Sequence, residues 1–134
     1  MIRKKRNQGS VMLIAVFVIA LLSALVTGIL QLNTEEIQLM QNHVYASQAL
    51  AVAEAGFNDA LSEIREDDEW DDGFTNKSFG SHSYTVAVSG SLPNLTIEST
   101  GTSSQGFVAK VGADVTVGTA DPYIIRIDGL RINE

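Results

Sequence analysis

The 134-residue chain has room for one domain at most, and its apolar residues are concentrated in the first third, too densely for a soluble core. Four of its nine basic residues, Arg3, Lys4, Lys5 and Arg6, stand at the start, and the remaining five face sixteen acidic residues, a net charge of −11 beyond that block, which excludes nucleic acid as a partner because phosphate is repelled. Cysteine is absent, which removes disulfides, thiolate metal sites and a lipid-modified cysteine.

After Arg6 no ionisable side chain appears until Glu35. Val11 to Leu32 reads VMLIAVFVIALLSALVTGILQL, twenty-two residues without a charge. At ~1.5 Å per residue such a helix crosses the ~30 Å hydrocarbon layer. The basic cluster in front predicts a cytoplasmic N-terminus, with everything beyond Leu32 on the far side. An ordinary secretory signal has a shorter apolar region, ~7 to 15 residues, followed by a small-x-small cut site. Here the run ends in Gln31, Leu32 and Asn33, so that reading is set aside.

A short basic leader ending in Gly9, then Ser10 and an uninterrupted apolar helix, resembles the class III signal of type IV pilins and pseudopilins. The resemblance implies cleavage by prepilin peptidase between Gly9 and Ser10 and methylation of the new amine on Ser10. It implies an apolar helix, with Val11, Met12, Leu13, Ile14 and Phe17, that serves first as an anchor in the inner membrane and then as the core of an extracytoplasmic filament. Its partners would be other pilin or pseudopilin subunits and the peptidase, and no cofactor is expected. One position departs from the family pattern. Most pilins carry a glutamate at the fifth place after the cut, a carboxylate costly in hydrocarbon unless paired with a neighbouring terminal amine. That place is Ile14, which resembles the condition of certain minor subunits at filament tips.

Gly28 lies inside the run, where glycine costs about 1 kcal/mol relative to alanine. It marks either a stretch that loosens on assembly or a point of close helix packing. From Thr34 to Arg65 there is no proline, and Met40, Val44, Leu50, Phe57, Leu61 and Ile64 recur at helical spacing. One helix from Ser10 to Arg65 would have fifty-six residues and extend about 84 Å. Within it, Tyr45 to Gly56, YASQALAVAEAG, is similar to the A-x-x-A-E-A-G stretch of minor pilins of the PilX type. Ala46, Ala49, Ala53 and Ala60 form a face that a sheet can approach closely, with Leu50, Phe57, Leu61 and Ile64 as larger anchors.

Glu66 to Gly73, EDDEWDDG, should end the helix, because clustered carboxylates oppose the macrodipole there and glycine turns readily. Residues 67–82 are expected to form an acidic linker. Calcium is considered and set aside: counted from Asp68, the third and twelfth positions of an EF-hand fall on Trp70 and Phe79. Trp70 is either a lid over the helix–sheet edge or a contact for a partner.

Residues 83–134 read as an antiparallel β-domain of three to four strands. Tyr84, Val86 and Val88 alternate with polar and small residues, Leu95 to Ser99 makes a second strand, and Phe107 to Val117 alternates most clearly. Tyr123 to Ile132 suits a fourth, edge strand bent at Asp128-Gly129. The expected fold class is therefore α+β, a long helix packed on a small antiparallel sheet. His43 and His82 stand alone, without ligand spacing, and no Gly-x-Ser-x-Gly, Ser-x-x-Lys or phosphate loop occurs. The triplets Asn76-Lys-Ser and Asn94-Leu-Thr are given no role. A filament subunit without enzymatic activity is the expected function, and a signal-anchored extracytoplasmic protein that never assembles is its rival.

Overall fold

The computed structural model describes residues 7–133. Helix α1 runs Asn7–Glu66 and is followed by strands β1 (Phe74–Phe79), β2 (His82–Ser91), β3 (Asn94–Thr102), β4 (Val108–Val117) and β5 (Ile125–Asn133). The architecture is α+β, consistent with a pilin-like arrangement. Residues 1–41 and 42–134 are separate compact units. In the first, the described residues are all helical.

In the second unit the strands form one sheet in the order β1-β2-β3-β4-β5, each antiparallel to the next. The period-two alternation puts Tyr84, Val86, Leu95, Ile97, Val111, Ala113, Val115 and Val117 on one buried face. The helical stripe Val52, Ala53, Phe57, Ala60, Leu61 and Ile64 closes over it, with Leu50 partly buried against the same cluster. The four anchors expected from the helical spacing thus reach the core. Tyr45 adds a ring contact to Phe107, centroid to centroid 5.8 Å, at the turn between β3 and β4.

Two expectations need correction. Residues 67–82 are not all linker, because β1 occupies Phe74–Phe79, and the sheet has five strands rather than three to four. Strand β1 escapes notice because Thr75, Asn76, Lys77 and Ser78 separate its two phenylalanines, so no apolar alternation exists. It is an edge strand held through pairing with β2, and it shifts register between Phe74 and Lys77, where Asn76 takes φ 45°. Strand β3 also extends past Ser99 to Thr102 because Thr100, Gly101 and Thr102 pair with β2 and β4 although they carry no apolar signal. The final strand is the expected edge strand, and its bend is a bulge: Gly129 opposes Asp114 and Ile127 opposes Val115, leaving Asp128 as the extra residue.

Helix and sheet meet most closely at Gly101. A Cβ there would collide with the carbonyl oxygen of Ala49 and the nitrogen and Cα of Ala53, all helix backbone. At Gly56 a Cβ would stand 2.6 Å from Ser99 Oγ and 2.7 Å from the Tyr84 ring. Gly101→Ala should therefore destabilise by about 1–3 kcal/mol through overpacking against backbone that cannot retreat. Gly112→Ala, whose added carbon would have its nearest neighbours at 3.7 and 3.8 Å, should change stability little. Denaturant unfolding of both variants, followed by Trp70 fluorescence, measures the contrast.

Candidate functional site: the apolar helix and its hold on the sheet

Gly9 and Ser10 lie in the first turns of α1, and a Cβ on Gly9 would meet nothing within 4 Å. The basic leader residues Arg3, Lys4, Lys5 and Arg6 lie outside the described residues. From Val11 to Leu32 every large apolar side chain is uncovered, from 45% exposed at Val18 to 73% at Met12. Val11, Met12, Leu13, Ile14 and Phe17 all belong to this set. Successive residues point around the helix, so the chain brings these five together only as parts of one all-round apolar cylinder.

The hydroxyls within the run, and that of Thr34 just past it, bond to their own helix. Ser23 Oγ donates to the carbonyl of Ile19 and Thr27 Oγ1 to that of Ser23, both at 2.8 Å; Thr34 does the same to Leu30 at 2.9 Å. Such i−4 bonds remove the cost of carrying a hydroxyl into hydrocarbon. Among the described residues α1 is the one helix long and apolar enough, by length and composition, to cross a membrane. A signal sequence meets the same measure.

The other end of the helix is fastened to the sheet edge by a polar junction. Asp59 Oδ2 accepts from Lys77 Nζ at 2.5 Å and from the Tyr84 hydroxyl at 2.5 Å. Lys77 also lies 4.1 Å above the centroid of Phe74, which stacks against Trp70 at 5.1 Å. Trp70 is half-buried against the core, which is the lid position of its two expected roles. The hydrogen bond from Lys77, then that from Tyr84, holds the Asp59 carboxyl below its ordinary value of 3.8. Asp59 in turn raises Lys77. Burial first, and then Asp59, raises the Tyr84 hydroxyl.

The acidic stretch forms a turn after the helix. Asp67 N–H donates to the Glu63 carbonyl at 2.9 Å, and Asp67 Oδ1 accepts the Glu69 N–H at 3.0 Å. Gly73, at φ 66°, lets the chain pass beneath the Val86 carbonyl where no Cβ would fit. Among the described residues no group of three or more histidines and carboxylates is placed to hold a metal ion. His43 is exposed, whereas His82 accepts the Ser104 N–H on Nδ1 at 2.9 Å and so ties β2 to the turn after β3. Sequence reasoning missed the Asp59–Lys77–Tyr84 junction. Nothing in the chain order pairs residues separated by eighteen and twenty-five positions.

Comparison with protein-family models, curated proteins and solved structures found no match.

The junction gives a pH signature. A carboxyl depressed in the folded state contributes stability that is fully present above its unfolded value and lost as pH falls through the folded one. Asp59→Asn should therefore cost about 1 kcal/mol at neutral pH, a modest figure because the site is partly solvated. The difference between variant and wild type should shrink below about pH 4. Thermal unfolding of the full chain in detergent from pH 3 to 7 checks both the size and the sign.

Proposed function

We propose that the chain is a minor pilin or pseudopilin, a structural subunit of a type IV pilus or a type II secretion-like filament and not an enzyme. The observation that carries this reading is the uncovered apolar cylinder of Val11 to Leu32, set directly behind a Gly9-Ser10 junction and a basic leader. A solitary membrane anchor and a filament-core helix need the same surface, so one segment can serve in lipid and then among other helices. In this reading prepilin peptidase removes residues 1–9, Ser10 becomes the methylated N-terminus, and the helix passes from the inner membrane into the filament. The β-domain stays outside the membrane, where its surface meets other subunits.

Ile14 supplies the second argument. With no carboxylate at that place, the subunit lacks the charged registration of a major pilin, which favours a minor role.

Mass and N-terminal sequencing of the protein recovered from membranes of cells with prepilin peptidase should show a start at Ser10. Gly9→Ala should block shortening while membrane insertion persists. A start at Met1 in such cells would leave a non-assembling, signal-anchored protein, and a start beyond Gly28 would leave a secreted β-domain. Ile14→Glu should alter incorporation into filaments, read by immunoblot of the sheared fraction. Unchanged incorporation would remove the argument from Ile14.

A further inference from the structure

The second unit has two unlike ends. At one of them the turn from β1 to β2, Gly80-Ser81, lies beside the turn from β3 to β4, Ser103–Phe107, because His82 Nδ1 accepts the Ser104 N–H at 2.9 Å. Helix α1 reaches the same end through Tyr45, whose ring meets Phe107. From Phe79 to Ser83 and from Thr102 to Val108 there is no carboxylate, lysine or arginine. Phe79, Val108 and Val44 are 50%, 51% and 53% exposed there. The opposite end carries the acid. Six carboxylates between Glu66 and Asp72 follow the helix, and the β4–β5 connection adds Asp121. The Asp68 charge raises the Tyr123 hydroxyl above its ordinary value, so the acidic turn stands beside that connection.

The uncharged end is also bonded within itself. The Ser103 N–H donates to the Phe107 carbonyl, the Gly106 N–H to the Ser103 carbonyl, and the Phe107 N–H to Ser103 Oγ, while Ser104 is held by His82. A turn whose amides are already paired loses little when water is withdrawn from it. Aromatic and small uncharged residues suit the headgroup boundary of a bilayer, whereas a surface containing anionic lipid repels carboxylates. Chain length brings such a surface within reach. Asn42, where this unit begins, follows Leu32 at the end of the spanning run by ten positions, at most ~36 Å when fully extended. A tether that short gives a roughly millimolar effective concentration, so a few half-exposed side chains are enough to bind.

We propose that the end of the second unit built from Val44, Phe79, Phe107 and Val108 docks on the extracytoplasmic surface of the membrane that anchors the chain, with the acidic end turned to water. The docking rests on the anchor half of the proposed function and does not depend on assembly.

The absence of cysteine makes the test direct. Full-length chains with Gln105→Cys, Glu69→Cys or Leu22→Cys, each labelled with a nitrobenzoxadiazole fluorophore, are reconstituted into phosphatidylcholine vesicles holding a minor share of phosphatidylglycerol and of nitroxide-labelled lipid. Quenching at Gln105→Cys is expected to exceed that at Glu69→Cys severalfold, and to fall severalfold when Phe79→Ser and Val108→Ser are added. Equal quenching at the two ends would overturn the docking. So would a Gln105→Cys label shielded from aqueous iodide but not quenched by lipid, which would give this end to a second copy of the chain. The Leu22→Cys label separates the two failures. If lipid quenches it and leaves the Gln105→Cys label bright, the anchor stands and the docking is removed. If lipid does not quench it, the anchor reading and the docking fall together. Unchanged Trp70 emission in each variant verifies that the fold survives.

Discussion

The approach of helix backbone to strand backbone at Gly101 is the constraint around which the second unit is arranged. A side chain at that place would stand inside Ala49 and Ala53. With glycine on the strand and alanine on the helix, the two layers come together closely enough for flanking anchors to reach across. Phe57, Leu61 and Ile64 then bury on one side, and Val86, Ile97 and Val115 meet them on the other. Ser99 Oγ is buried opposite Gly56 without a hydrogen-bond partner, an expense of about 1–3 kcal/mol in general terms. Its small volume is what the position demands.

The Asp59–Lys77–Tyr84 junction works from the same approach. Once the helix lies close, Asp59 faces the outer strands, where it accepts two hydrogen bonds and secures an edge strand that has little apolar surface of its own. Lys77 also guards that edge, since a charged side chain and a bulge on β1 discourage further strands from adding there. The opposite edge has no such lysine. The solvent face is tied instead by polar pairs, Arg131 with Asp114 across β5 and β4 at 2.8 Å and Arg126 with Asp128 within β5 at 2.6 Å. Arg131 and then Thr96 hold the Asp114 carboxyl below its ordinary range.

The distribution of apolar surface follows a single rule. Where a helix face meets the sheet it is mixed, with small residues at the centre and large ones at the flanks. Where nothing covers the helix it is apolar all round, as in Val11 to Leu32. The helix changes from one pattern to the other after Glu35, the first ionisable residue since Arg6.

Residues with strong periodic signals were legible from the sequence alone: the charge-free run, the helical recurrence of Leu50, Phe57, Leu61 and Ile64, and the alternation from Ala109 to Val117. In each case a local repeat corresponds to one continuous face, so no distant information is required. Strand β1 was not legible, since it exists through pairing with β2 and not through its own side chains. The same is true of Thr100 to Thr102, of Lys77 reaching Asp59, and of the bare face of β5. In that last case Ile127, Leu130 and Ile132 pair with the buried Val115, Ala113 and Val111, and only the tertiary arrangement decides that the roof stops short of them. The sequence determined which segments are apolar and at what period; which apolar faces find cover was left to the fold, because cover depends on the width of a helix against that of a five-stranded sheet.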